Sequence, residues 1–272
     1  MKKQSMNFVL ALTVVSVFIA VMFSFAPPGE SAVKTITIGV APFPNKDITE
    51  VAAGLLKKEG YTLKVKVYND AVDINIALGD KSLDANYFQT IPYLADQMNE
   101  MTEYKFKWLT KIHKEPMGIY SAKYMRSVAN LPADPIIAIP IDLPNQSRAL
   151  HLLEYAGLIL LKDGTMSNTN DILQNKQGIT FLKVDAGDMP KVLSRVDAAV
   201  MNTATAINAD MNPKRDAVVL EPINDAYSNV LVVRASDANK PEIKALVKAF
   251  TSPKVRKYID DKLYSYGIVS AF

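Results

Sequence analysis

The chain has 272 residues, which suits one large domain or two lobes, and with 49% of them hydrophobic and 22% charged it is a globular chain with a real core and not a disordered one. Its formal charge of +3 falls to +1 without Lys2 and Lys3, too little for nucleic-acid binding by bulk charge, and no basic stripe with interleaved aromatics occurs. Cysteine is absent and the two histidines, His113 and His151, are far apart, which excludes disulfides, Cys-zinc sites, thiol nucleophiles and a His-rich metal centre.

Residues 1–26 read as a targeting segment. Lys2 and Lys3 precede an apolar run from Phe8 to Phe23, and Ser24-Phe25-Ala26 places small residues at the −3 and −1 positions of a cleavage site. The run also allows an uncleaved N-terminal anchor. A lipoprotein signal needs a Cys at the junction, and none exists. The expectation is therefore an exported protein, periplasmic or associated with the membrane through residues 1–26, and not a Cys-anchored lipoprotein.

Thr35–Val40 alternates as a strand and runs into the loop Ala41-Pro-Phe-Pro44. Asp47 with Glu50 makes a capping-box variant, and Ile48, Val51, Ala52, Leu55 and Leu56 then give a helix an apolar face up to Gly60. Thr62–Tyr68 alternates as a second strand, so the three form a parallel, right-handed βαβ unit. A helix is expected over Ala71–Leu78. Ser82–Tyr93 reads as a short strand breaking into a loop that holds Tyr87, Phe88 and Tyr93. Three aromatics at the carboxyl end of a strand either wall an apolar pocket or fill the core. Phe106–Ile112 and Met117–Ser121 are further strands.

A second series begins with the β-branched run Ile136–Ile139. Asn145 is a candidate N-cap for a helix that buries Leu150, Leu152 and Leu153 and stops at Gly157, a natural C′ residue. Arg148 then falls in the first turn, where the helix dipole favours anions. A bound carboxylate or phosphate, gripped bidentately, would resolve that conflict; a solvated surface Arg is the alternative. Ile179–Val184 is a strand, Asp188–Arg195 a helix, and Val196–Asn202 and Ala217–Leu220 are strands. Ser228–Arg234 is a last strand before a helix carrying Ile243, Leu246, Val247 and Phe250, and Ser252-Pro253 caps another. Two α/β lobes result, 33–119 with 229–272 and 120–228, joined by crossing strands near 119–123 and 227–230.

Catalytic signatures are missing. No Gly-x-Ser-x-Gly elbow or His-Glu-x-x-His helix occurs. Gly79-Asp-Lys-Ser82 lacks the upstream glycine and the Gly-Lys pair of a phosphate loop. Asp84, Asp142, Asp185 and Asp197 read as caps or solvated groups. No catalytic residue, cofactor or metal ligand is expected.

Several short motifs, in order from about Thr35 to Phe250, carry a resemblance. They are Asp84-Ala-Asn-Tyr-Phe-Gln89 with Pro92-Tyr-Leu94, Glu115-Pro-Met-Gly-Ile-Tyr-Ser121, Ile139-Pro with Asn145 and Arg148-Ala-Leu150, Ala156-Gly-Leu158, Asp197-Ala-Ala-Val200 with Asn202-Thr203, and Asn229-Val230 before Val233-Arg234. The chain resembles the NlpA/MetQ family, methionine-binding substrate proteins of bacterial ABC importers. That resemblance implies a type 2 periplasmic-binding-protein fold, a two-lobed clamp closing on a small amino acid. By motif position Arg148 would take the ligand carboxylate, with Asn145 at the same helix start. Asn202 and Asn229 would hold the amino and carboxylate ends, and Phe88 and Tyr93 would line the slot for the side chain.

Two positions depart from the methionine-binder pattern, Thr90 in place of His and Ala71 in place of Tyr. Both remove bulk and polarity from one side of the slot, which points away from methionine itself toward a related side chain; the resemblance implies methionine or a related ligand. The partners implied are that ligand and an ABC permease with a separate ATPase subunit, the protein itself acting as a monomer. An anchored ligand sensor and an enzyme acting on a small acid are the alternatives on the same fold.

Overall fold

Residues 34–69, 71–123, 126–164 and 166–272 are described in the computed structural model, without the Val72 side chain. The expected signal or anchor at 1–26 lies outside the described residues. The order begins β1 (Lys34–Val40), α1 (Asn45–Leu56), β2 (Tyr61–Val67), α2 (Ala71–Gly79), β3 (Ala85–Thr90), α3 (Ile91–Glu100) and β4 (Phe106–Lys114). After Glu115-Pro116 come β5 (Met117–Tyr120), β6 (Ile136–Pro140), α4 (Leu143–Tyr155), β7 (Leu160–Leu161), β8 (Ile172–Gln174) and β9 (Thr180–Val184). There follow α5 (Met189–Val192), β10 (Ala198–Asn202), α6 (Thr203–Asn208), α7 (Pro213–Asp216) and β11 (Val219–Leu220). The chain then passes into β12 (Asn229–Arg234), α8 (Pro241–Phe250), α9 (Pro253–Tyr258) and β13 (Val269–Ser270).

Two sheets form, ordered β13-β4-β12-β3-β1-β2 and β11-β5-β10-β6-β9, with β7 and β8 a separate hairpin. In the first, β1 is parallel to both β2 and β3, as the βαβ reading requires. In the second, β6 is parallel to β9 and β10. Each sheet also takes an antiparallel strand fed from the other lobe: β12 between β3 and β4, and β5 between β10 and β11.

Strand alternation distributes the core over both faces of the first sheet. Ile36, Ile38, Val40, Leu231 and Val233 pack with Ile48 and Leu56 of α1 and with Leu246 and Phe250 of α8. Val230 and Val232, one residue out of phase, join Ile74, Leu78 and Leu94 on the other face. In the second lobe Ile137, Ile139 and Val200 meet Leu150 and Leu153 of α4, while Ala138, Ala199 and Met201 meet Met189. Each such fully buried aliphatic side chain is worth about 1.5–3 kcal/mol.

Local boundaries differ from expectation in four places. Because β5 pairs in the second sheet, the first crossing is Glu115-Pro116 and not 119–123. Helix α4 starts at Leu143 and is capped by Asp142, whose carboxylate accepts from the Asn145 N–H at 3.0 Å. Pro144 explains this, since a residue without an N–H belongs in the first turn. Asn145 is thus the third helical residue, and Arg148, the sixth, is beyond the first turn. Helix α1 has no side-chain cap, because the Pro42 and Pro44 carbonyls already accept from Lys46 and Ile48. Finally, no loop follows β3; Thr90 Oγ1 caps α3 by accepting from the Tyr93 N–H at 3.5 Å, so Tyr93 is helical. Gly157 does end α4 as expected, at φ +76°, with Gly157 N donating to the Glu154 carbonyl and Leu158 N to that of Leu153.

Candidate functional site

A cavity of about 190 Å³ lies where strands of both sheets end, the position at which α/β sheets expose backbone and side-chain polar groups. The first lobe contributes Ala41 and Pro42 beyond β1, Tyr68 and Asn69 beyond β2, Ala71 and Ile74 of α2, and Phe88, Gln89 and Thr90 from the end of β3. Tyr93 of α3 completes that side, its ring edge-on to Phe88 at 6.0 Å between centroids. Asn145, Ala186, Asn202 and Thr205 come from the second lobe. Glu115 and Asn229 come from the two crossings. A larger cavity of about 940 Å³ runs along α4 and residues 221–227, but it does not collect the strand ends.

Amide side chains dominate the polar lining. On the first lobe Asn75 Nδ2 donates to Gln89 Oε1 at 3.0 Å, Gln89 Nε2 returns a hydrogen bond to Asn75 Oδ1 at 2.8 Å, and Asn86 Nδ2 donates to the same oxygen at 2.9 Å. All three are buried, so the network is closed on itself and rigid. On the second lobe Asn202 Nδ2 donates to Asn145 Oδ1 at 3.0 Å, and Asn145 Nδ2 donates to Asp142 Oδ1 at 2.9 Å. Burial raises the Asp142 carboxyl above its usual range, although hydrogen bonds from Asn145 oppose the shift. Asn229 is different: its Nδ2 is buried and has no partner among the described residues. An orphaned buried donor in a cavity wall is available to an acceptor that enters the cavity.

Two expected site residues lie outside the lining. Tyr87 points to the opposite face from Phe88, as neighbours on a strand must. It is fully buried against Phe250, and its hydroxyl meets His113 Nδ1. That residue is core, and burial holds its phenol well above the usual range. Arg148 is buried behind the wall. Its Nη2 donates to Glu221 Oε2 at 2.6 Å and to the Glu115 carbonyl at 2.6 Å, and its Nε donates to Glu221 Oε1 at 3.0 Å. The guanidinium also stacks on Tyr227 at 4.3 Å. It therefore holds both crossings from α4, and only Nη1 carries no hydrogen bond among the described residues.

A family model described as NlpA lipoprotein matches residues 36–272. The chain belongs to the NlpA lipoprotein family. It is 40% identical over 239 residues to the methionine-binding lipoprotein MetQ of Bacillus subtilis, covering 86% of this chain and 87% of that protein. It is 32% identical to the membrane lipoprotein TpN32 of Treponema pallidum, covering 87% and 88%. Among solved structures, a nutrient-binding protein from Burkholderia cenocepacia bound to methionine superposes with a TM-score of 0.83 at 37% identity, over 87% of this chain and all of that one. A periplasmic substrate-binding protein of an ABC transporter from Coxiella burnetii gives 0.82 at 37% identity, with the same coverage. The two-lobed periplasmic-binding-protein fold is thereby that of this NlpA-family chain.

Membership corrects one expectation. The protein was expected to stand apart from Cys-anchored lipoproteins because the chain has no cysteine. The matching family and the relatives from Bacillus and Treponema are lipoproteins by name, which overturns it. An exported, membrane-associated protein fits that naming. One residue type at the chain start is not decisive, because the family signal resides in residues 36–272.

Sequence reasoning missed Glu115 as a lining residue and Glu221 as the partner of Arg148. A signal was present. Both crossings begin Glu-Pro, at 115–116 and 221–222, and a residue before proline is held extended. Repetition of that dipeptide marks the two places where the chain leaves one sheet for the other.

Proposed function

We propose that this NlpA-family protein is the substrate-binding component of an ABC importer and captures a small zwitterionic amino acid, methionine or a close relative, by closing its lobes on the 190 Å³ cavity. The observation that carries this reading is the convergence there of amides from both lobes on an aromatic-walled slot, with the buried Asn229 Nδ2 lacking a partner among the described residues. Asn229 donates to the ligand carboxylate, and Asn202, positioned by Asn145, faces the amino group. Phe88 and Tyr93, with Ala71 and Thr90, size the side chain. Arg148 shapes the wall from behind through the Glu115 carbonyl, and its Nη1 is the donor left to reach an anion. The names of the Bacillus and Burkholderia relatives support methionine as the first ligand to test.

Function is capture and release rather than reaction. A ligand that touches both lobes favours the closed form, and a permease with its own ATPase subunit takes the cargo from it. The test is to denature the purified protein and identify by mass spectrometry the small molecule released. An unmodified amino acid is expected. A chemically transformed product, or a ligand without an amino group, refutes the reading.

A further inference from the structure

Asp142 is outside the cavity lining, yet it is the first member of a chain of side chains that ends there. Its Oδ1 accepts from the Asn145 backbone N–H at 3.0 Å and from Asn145 Nδ2 at 2.9 Å. A carboxylate has no proton to give, so only the nitrogen end of the Asn145 amide can face it. The oxygen end is thereby turned to Asn202, whose Nδ2 donates to it at 3.0 Å. The Asn202 amide is oriented in turn, with its carbonyl oxygen turned away from Asn145. Both asparagines stand in the cavity wall.

We propose that Asp142 is a positioning residue that sets the polarity of the Asn145–Asn202 relay, so that the second lobe presents an acceptor oxygen to the ligand and selects a protonated amine. This rests on the amino-acid reading above. Asn229, on the second crossing, has the reverse polarity, a buried donor without a hydrogen-bond partner among the described residues, while Glu115 on the first crossing adds a carboxylate to the lining whose Oε2 likewise has no hydrogen-bond partner among them. Together the walls orient a zwitterion, ammonium to Asn202 and carboxylate to Asn229.

Acid should undo the arrangement. Burial and the nearby Asp185 raise the Asp142 carboxyl, and the hydrogen bonds from Asn145 lower it. The Asp142 charge also reaches Asp96 of α3, whose carboxyl is raised by burial first, then by Glu100 and Asp142. A protonated Asp142 can donate a hydrogen bond to Asn145 Oδ1, which allows both amides to turn over and present nitrogen to the cavity. Affinity for an amine-bearing ligand therefore falls as the pH drops through the Asp142 titration.

Asp142→Asn and Asp142→Ser separate this role from simple helix capping, because Asn and Ser are both good N-caps. An Asn amide can accept from the Asn145 N–H and donate from its own nitrogen to Asn145 Oδ1, as the protonated acid does, and it does not titrate. A Ser hydroxyl can accept from that N–H and donate to Asn145 Oδ1, which releases the lock. Calorimetry would measure the affinity for L-methionine and for its analogue lacking the amino group, at about pH 7.5 and about pH 5, with thermal melting to confirm folding. Wild type should prefer methionine by about tenfold or more, a preference of the size a charge-assisted hydrogen bond supplies, and the ratio should shrink in acid. Asp142→Asn should show the reduced, acid-like ratio at both pH values, and folded Asp142→Ser should also lose most of the preference. A folded Asp142→Ser protein with the wild-type ratio overturns the proposal, as does a wild-type ratio as insensitive to pH as that of Asp142→Asn. A wild-type protein that binds neither compound overturns the amino-acid reading itself.

Discussion

Replacing Arg148 with alanine removes a buried cation from a carboxylate that stays behind. The pair is close, with Nη2 to Oε2 at 2.6 Å, and its side chains are only 3% and 11% exposed. Stranding one member of a buried pair costs about 3–5 kcal/mol. The slight exposure of Glu221 places Arg148→Ala near the lower end, about 3 kcal/mol. At about 2–4 °C per kcal/mol for a chain of this size, the melting temperature of ligand-free protein should fall by about 6–12 °C. Urea unfolding followed by circular dichroism would give the free energy directly. Adding Glu221→Leu should restore part of the loss, because no uncompensated charge then remains, so the two substitutions are strongly non-additive. A loss under about 1 kcal/mol, or additivity within about 0.5 kcal/mol, would refute the view that Arg148 clasps the crossings.

Asn229→Leu should act with opposite signs on stability and binding. Removing an orphaned buried donor relieves a cost of about 1–3 kcal/mol, so ligand-free protein should melt no lower than wild type, while titration calorimetry should find affinity for L-methionine reduced at least about tenfold. Lost stability with unchanged affinity would contradict this. Tyr87→Phe leaves His113 Nδ1 without its hydroxyl partner in the core and should destabilise by about 1–3 kcal/mol. Binding affinity should not change, and an affinity loss as large as that of a lining residue would return Tyr87 to the site. Asp197 accepts from Lys123 Nζ at 2.6 Å and from the Ile136 N–H at 2.8 Å, and the Lys123 contact first, then the N–H, holds its carboxyl below the usual range. A depressed carboxyl stabilises the fold above its unfolded pKa of about 3.9 and loses that contribution as the pH falls through its lower folded value. Asp197→Asn should therefore be less stable than wild type at neutral pH and should converge with it in acid, as unfolding curves across that range would show.

Elements whose character depends on near neighbours were legible. Ile36, Ile38 and Val40 alternate because one face of β1 packs on α1, and Gly157 ends α4 because only a residue tolerant of positive φ closes that turn. Asn145, Asn202 and Asn229 were marked by their motifs and do meet in one cavity. Boundaries were harder, since Asp142 and Asn145 are both good caps and the position of Pro144 decides between them.

What the amino-acid sequence determined by itself was the order of the main strands and helices of each lobe, the two-lobed class and the family, all of which rest on periodicity and on short motifs read within a few residues. Which face of β3 became wall and which became core, and what Arg148 holds, were decided only in three dimensions. Phe88 reaches the cavity and Tyr87 does not because β1 and β12 flank β3 and fix its pleat. Arg148 meets Glu221 across 73 residues of chain, and the second crossing alone brings that carboxylate to it. A charge shows its sign in the sequence, but its partner depends on how the sheets are joined.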